Sequence, residues 1–266
     1  MAGKINVGTF RKMKERGEPI VMLTAYDSPT AALATAAGVE IILVGDSMAN
    51  TVLGYENTIP LTMEQSLHHC AAVRRGAPNA FIVGDMPFMS YESDTVAGLN
   101  NASRYLKEAG CNAVKIEGGN NTVPLIERMI ECGIPVMGHI GLMPHQVLVS
   151  GGYKLAGKTE DETLKLIETA QKLEAAGIFG LVLEGIPALN SRRISEALKI
   201  PTIGIGAGIH CDGQVQVVTD LLGMSDGFMP KHAKNYVKLH EIIGKAFKEY
   251  VEEVKNKKFP AAENSF

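Results

Sequence analysis

The sequence predicts an α/β protein built as a single (β/α)8 barrel, with a short N-terminal capping helix and a C-terminal helix. Three observations lead there. Strand-like and helix-like patterns alternate along the 266 residues, giving eight strand candidates. Alternation of this kind implies a parallel sheet, and eight units favour closure over a doubly wound open sheet. Several strand candidates are apolar runs without polar alternation, as in strands covered on both faces. Four of them deliver an acid at the same end: Ile41-Ile42-Leu43-Val44-Gly45-Asp46, Phe81-Ile82-Val83-Gly84-Asp85, Ala113-Val114-Lys115-Ile116-Glu117 and Gly180-Leu181-Val182-Leu183-Glu184. The length is near the ~250 residues typical of one such barrel. No linker-like stretch or internal repeat divides it, so residues 1–266 are expected to be one domain.

Residues 1–18 are polar around Phe10 and Met13 and predict an amphipathic helix over one end of the barrel. Residues 20–26 read as the first strand. Asp27-Ser28-Pro29 then opens a helix, with Ser28 as N-cap and Pro29 in the first turn, closing at Gly38. The run ending in Asp46 is the second strand, and 48–61, rich in Gly, Asn and Thr, is a loop. Thr62-x-x-Gln65 is a capping box for a helix to about Arg75. After the strand ending in Asp85 come a loop at 86–91 and a helix over 93–109. The strand ending in Glu117 is followed by Gly118-Gly119 and a helix over 123–132, and residues 135–141 form the fifth strand. Residues 142–158 are the longest loop, of the length of a lid or binding loop. A second capping box, Thr159-x-x-Glu162, starts a helix to about Ala176. The strand ending in Glu184, a helix over 188–198 and a strand over 201–208 follow. Asp220-Leu221-Leu222-Gly223 is a weak eighth strand. A helix over 235–257 carries Leu239, Ile242, Ile243, Phe247, Tyr250 and Val254 at helical spacing, ahead of a tail at 258–266.

The composition narrows the function. An apolar share of 45% suffices for a large core, and a net charge of -3, from 26 basic and 29 acidic residues, argues against nucleic acid or an anionic membrane as partner. Cys70, Cys111, Cys132 and Cys211 lie far apart and read as small buried residues, neither a disulfide frame nor a zinc knuckle. The first residues have no apolar export segment, and no run approaches the ~20 residues of a membrane span. A soluble, cytoplasmic protein is expected.

The strand ends of such a barrel meet at one mouth, so Asp46, Asp85, Glu117 and Glu184 should converge there. Several carboxylates within a few ångströms cannot all stay ionised and unpaired. A hard divalent cation resolves this, magnesium being held by carboxylates, water and substrate oxygens. With no cysteine and one histidine at these ends, zinc is disfavoured. The alternative is that each acid merely caps the following helix. Lys115 lies two residues before Glu117 and shares its face of the strand. It is open to three uses: holding a substrate carboxylate or enolate, forming a Schiff base, or making a structural ion pair with Glu117 or Asp85. His139, flanked by glycines, is either a ligand contact or a satisfied core histidine. His68 and His69 cannot share a helix face. Gly204-x-Gly206-x-Gly208 lacks the dinucleotide spacing and reads as close backbone packing.

These segments, with Thr24-Ala25-Tyr26-Asp27, Met86-Pro87-Phe88-Met89-Ser90-Tyr91 and Ile203-Gly204-Ile205-Gly206-Ala207-Gly208, resemble ketopantoate hydroxymethyltransferase from about residue 4 to residue 250. The resemblance implies a barrel of the phosphoenolpyruvate/pyruvate superfamily, a bound Mg2+ and a decameric cytosolic assembly. It implies Asp46, Asp85 and Glu117 as metal ligands, Ser47 and Lys115 as substrate contacts and Glu184 as proton acceptor. Asp46, Asp85 and His139 complete the expected substrate-binding set. The implied reaction moves a one-carbon unit from 5,10-methylenetetrahydrofolate, a co-substrate, to 3-methyl-2-oxobutanoate, giving 2-dehydropantoate on the route to pantothenate. Such chemistry suits the residues: a 2-oxo acid chelates a divalent cation, which acidifies the C3 proton, and a carboxylate base removes it.

The chain departs from the family pattern in several places. It reads Asp46-Ser47-Met48-Ala49-Asn50 for Asp-Ser-Leu-Gly-Met and Gly141-Leu142-Met143-Pro144-His145 for Gly-Leu-Thr-Pro-Gln. It has Ala156 for a common glutamine and Thr219 for a common histidine. The rival enzyme is a magnesium-dependent C–C lyase or mutase of the same superfamily. Such enzymes usually carry a lid-loop cysteine, which 48–61 and 142–158 lack. A Schiff-base aldolase and a non-catalytic binding barrel rank below it.

Overall fold

The computed structural model describes residues 5–225, 227 and 229–266. They form two compact units, divided after Gln216.

The first unit is a closed barrel of eight strands in sequence order. The strands are β1 (Ile20–Thr24), β2 (Ile41–Val44), β3 (Phe81–Asp85), β4 (Ala113–Glu117), β5 (Val136–Gly141), β6 (Gly180–Glu184), β7 (Thr202–Ile205) and β8 (Gly213–Gln216). Every neighbouring pair is parallel, and β8 closes on β1 with Ile20 beside Gly213 and Leu23 beside Gln216. The eighth strand is therefore not Asp220–Gly223, as the sequence suggested; Val218–Leu221 is a helical turn. The reason is steric. A Cβ at Gly213 would stand 2.4 Å from the Ile20 carbonyl oxygen, so this strand must begin with glycine. Its two glutamines then mask it as polar.

Alternate residues of each strand form one interior column. At the N-terminal end of the barrel the columns are apolar: Ile20, Ile41, Phe81, Ala113, Met137, Val182 and Ile203 pack in one buried cluster. Further along, four of the same columns turn polar. Phe81-Val83-Asp85, Ala113-Lys115-Glu117, Met137-His139 and Val182-Glu184 each run from core to charge. The helix Val7–Arg16 closes the apolar end. Asn6 and Thr9 form its capping box, and Gly17, at φ 65°, ends it in the left-handed region. Phe10 is fully buried, edge-on to Phe81 at 4.9 Å between ring centroids. Lys14 donates to Asp212 at 2.9 Å, just ahead of β8.

The helices that cover the barrel follow the capping signals. Thr62 and Gln65 cap Met63–Gly76, and Thr159 and Glu162 cap Glu160–Ala175. The helix Ser28–Ala36 is capped by Asp27, not Ser28, because the Asp27 carboxylate reaches the Thr30 N–H at 2.8 Å. Gly208 packs backbone against helix: a Cβ there would meet that of Ala188 at 2.4 Å. Cys70 and Cys111 are buried, Cys211 is half-buried and Cys132 is exposed at the end of a helix, against expectation; all four are free thiols.

The second unit, residues 217–266, contains the helix Leu239–Lys255. Gly223, at φ 58°, turns the chain so that its carbonyl accepts from the His240 N–H. The apolar side chains Ile242, Phe247, Tyr250 and Val254 of this helix are exposed. Among the described residues no helix is long and apolar enough to cross a membrane.

Candidate active site

Strand register sets the site. Asp85 pairs across the sheet with Lys115, and Glu117 with His139. Lys115 Nζ donates to Asp85 Oδ1 at 2.6 Å and lies 3.9 Å from Glu117 Oε1. The second Asp85 oxygen accepts from the Asp46 N–H at 3.1 Å, which ties the turn after β2 to β3. His139 stands between two acids, with Nδ1 3.4 Å from Glu117 and Nε2 3.3 Å from Glu184. None of the four acids caps the helix that follows it; those N-cap positions are held by Ser47, Asp94, Thr122 and Pro187. Ser47 shares a hydrogen bond with Tyr26 at 2.9 Å.

The four acids differ in access. The side chains of Asp85 and Glu117 are 3% exposed and that of Asp46 is 7% exposed, whereas that of Glu184 is 20% exposed. The buried three are balanced against cations. Burial, reinforced by Asp46 and Glu117, pushes Asp85 up to about 7 in spite of Lys115. Burial also opposes ionisation of Asp46, but His145 and Lys115 outweigh it and hold that carboxyl well below its usual range. Glu117 is lowered against its burial by His139 and Lys115. Desolvation works against Lys115 too, yet Asp85, Glu117 and Asp46 raise it above the usual lysine value. A more firmly protonated amine is a poor nucleophile, which weighs against the Schiff-base use. Burial would lower His139, but Glu117 and Glu184 bring it to about 9.

Loops add groups that the strand pattern did not reveal. His145, after β5, is buried with Nε2 3.4 Å from Asp46 Oδ2 and Nδ1 3.3 Å from Glu92 Oε1. Its backbone N–H donates to Glu117 Oε2 at 3.1 Å. Burial opposes its charge, but Asp46 and Glu92 raise it to about 10. Tyr91 donates to the Glu117 carbonyl and accepts from the Glu117 N–H, both at 3.0 Å. Among the described residues one buried set offers ligand atoms all within 4.8 Å of one another: Asp46, Glu117 and His145. Asp85, expected as a metal ligand, lies outside this set with both oxygens engaged.

A family model described as ketopantoate hydroxymethyltransferase matches residues 4–262. The chain belongs to the ketopantoate hydroxymethyltransferase family. The 3-methyl-2-oxobutanoate hydroxymethyltransferase of Pseudothermotoga lettingae is 53% identical over 98% of this chain and 98% of its own. That of Thermotoga maritima is 52% identical over 98% of this chain and 96% of its own. Like these relatives, the chain is an enzyme. Among solved structures, a phosphonopyruvate hydrolase in complex with oxalate and Mg2+ superposes with a TM-score of 0.64 at 11% identity, covering 98% of this chain and 93% of the other. A 2,3-dimethylmalate lyase, described as a member of the PEP mutase/isocitrate lyase superfamily, gives 0.60 at 16% identity, covering 96% and 89%. These two likenesses show the barrel fold alone.

The long loop after β5 is partly helical, with a 3-10 turn at Pro144–Gln146 and a helical turn at Val147–Ser150. It encloses a cavity of about 390 Å³ with Gly141, Leu142, Met143, Tyr153, Ala156 and Lys165 in its wall. Two of these, Met143 and Ala156, are positions where the chain departs from the family pattern. The four strand-end acids do not line this cavity. Its wall residue Leu142 donates its N–H to the Glu184 main-chain carbonyl at 2.8 Å. Tyr153 is raised by burial and by the nearby Asp46, Glu184 and Glu117, so the loop stands within their field.

Proposed function

We propose that the protein transfers a hydroxymethyl group from 5,10-methylenetetrahydrofolate to 3-methyl-2-oxobutanoate, with Glu184 as the base that removes the C3 proton. The observation carrying this reading is the graded exposure of the acids. Asp46, Asp85 and Glu117 are nearly sealed beside His145, Lys115 and His139, and Glu184 is the most exposed of the four and so the one best able to meet a substrate. His139 holds the Glu184 carboxylate in place and lends it a positive neighbour when protonated. Lys115 and Ser47 serve the substrate's oxygens at the mouth, with Asp85 fixing Lys115 and Tyr26 fixing Ser47.

The donor set fits a divalent cation, because Asp46 Oδ2 and Glu117 Oε1 are buried with no hydrogen-bond partner. Asp46 and Glu117 would hold the ion, and Asp85 would join only by releasing Lys115. Such an ion, Mg2+ in the reading the resemblance implies, draws electron density from the keto group of a bound 2-oxo acid and so acidifies its C3 proton. The cavity beside Glu184 falls within the ~300–1,000 Å³ of small-molecule sites and suits part of a reduced folate, with Lys165 near its anionic groups. Self-association, ten copies by resemblance, is supported by the exposed apolar side chains of the last helix; light scattering measures it.

The test is deuterium exchange at C3 of 3-methyl-2-oxobutanoate without folate. Exchange should need a divalent cation and fall by ~10²–10⁴ in Glu184→Gln. Exchange that survives both chelator and this substitution overturns the reading.

A further inference from the structure

The geometry points to His145 as a direct nitrogen ligand of the divalent cation, making the site a mixed nitrogen–oxygen one that takes a first-row transition-metal ion rather than an all-oxygen magnesium site. This deepens the function proposed above and rests on that reading. Three buried atoms carry it: Asp46 Oδ2, Glu117 Oε1 and His145 Nε2, none of which has a hydrogen-bond partner. All three residues are more than nine-tenths buried. They belong to the same set whose ligand atoms lie within 4.8 Å of one another. Asp46 Oδ2 and His145 Nε2 face each other at 3.4 Å and Glu117 Oε1 faces His139 Nδ1 at 3.4 Å, none of these contacts closing to a hydrogen bond, so a cation held among the three atoms would satisfy them all.

The other side of the imidazole is arranged as for a metal ligand. His145 Nδ1 faces Glu92 Oε1 at 3.3 Å and the Tyr91 hydroxyl at 3.3 Å. A carboxylate on one ring nitrogen fixes the tautomer and leaves the lone pair on the other, the usual outer support of a metal-bound histidine. The ring itself is held by its own backbone N–H on Glu117 and by the edge-on Phe88 ring at 5.8 Å. Two carboxylate oxygens and one imidazole nitrogen make a mixed set. Imidazole suits first-row transition ions such as Fe2+, Ni2+ and Zn2+, for which Mn2+ serves as the paramagnetic probe, whereas magnesium takes oxygen donors.

The full-length protein is stripped with chelator, loaded with Mn2+ alone and studied by pulsed electron paramagnetic resonance. Nitrogen coupling typical of a directly bound imidazole is expected in the wild type. It should vanish in His145→Gln and persist in His139→Asn, which removes the other histidine near Glu117. In equilibrium dialysis against equal Mg2+ and Mn2+, the wild type should retain Mn2+ preferentially, and Glu92→Gln should weaken Mn2+ binding ~10–100-fold. If His145→Gln does not fold, persistence of the coupling in His139→Asn still assigns it to His145. Bound Mn2+ without nitrogen coupling, or coupling lost only with His139, overturns this inference and leaves the proposed function standing. No Mn2+ bound at all overturns both.

Discussion

Lys115→Met removes the ammonium from the centre of the acid cluster while keeping most of the side-chain volume. Lys115 lies 2.6 Å from Asp85 Oδ1, and its side chain is 5% exposed. At that distance and an effective dielectric of ~20, the gross attraction is about 6 kcal/mol. Stripping one partner from a buried pair costs ~3–5 kcal/mol, because the remaining charge stays desolvated. The loss should depend on pH, since Asp85 has an escape that Lys115 does not: it can take a proton. Its folded pKa, about 7, already lies above the unfolded value, and removing Lys115 raises it further. The folded variant therefore binds more protons than the unfolded chain, so the variant gains stability as pH falls through that folded pKa. Urea denaturation of the chelator-treated protein should show the loss shrinking as pH falls from the alkaline side toward about 7 and levelling off below, where Asp85 is protonated in both proteins. A loss below about 1 kcal/mol near pH 8, or one that does not change with pH, would refute the account of Lys115 as the cation that keeps these acids ionised.

Phe10→Ala empties the apolar end of the barrel, where Phe10 is fully buried, and should cost ~3–5 kcal/mol by urea denaturation while leaving Mn2+ affinity unchanged; a shift in that affinity would couple the two ends of the barrel. Gly213→Ala places a Cβ 2.4 Å from the Ile20 carbonyl and should destabilise by ~1–3 kcal/mol, most visibly as faster hydrogen exchange in β1 and β8. Without metal, the thermal midpoint should fall as pH rises. His139 is raised from 6.5 to about 9, so its contribution, ~3 kcal/mol, is complete below pH 6.5 and disappears as pH passes about 9. His145, raised to about 10, adds a loss of the same sign. A flat midpoint between pH 6.5 and 10 would contradict both pairings.

Most of the barrel is legible in the sequence because its strands are buried on both faces and its helices announce themselves with capping boxes. Ile41-Ile42-Leu43-Val44 allows one reading, and so does Thr62-x-x-Gln65. The eighth strand escapes for a physical reason: Gly213-Gln214-Val215-Gln216 closes the barrel by backbone approach at Gly213, which hydropathy does not register. Asp220-Leu221-Leu222 attracts attention instead, with a short apolar run that periodicity cannot assign to strand or helix. Asp27 displaces Ser28 as cap because both are good acceptors and only the local fold decides which one meets the Thr30 N–H.

The site divides along the same line. That acids gather at the mouth follows from where strands end, and the shared face of Lys115 and Glu117 follows from period two. Which acid is locked and which is free depends on register, for Asp85 meets Lys115 and Glu117 meets His139 only because of how β3, β4 and β5 are staggered. His145 and Glu92 come from loops that no periodicity describes, so their pairing across the site exists only in three dimensions. A mouth lined by four equivalent carboxylates would bind a cation well and do little more. Catalysis needs two kinds of carboxylate, some desolvated and anchored so that they can hold a charge, and one mobile enough to exchange a proton with a bound molecule. Register and burial together separate them here: the side chain of Glu184, the proposed base at the end of β6, retains 20% exposure with a histidine as its neighbour, while the other three are nearly sealed.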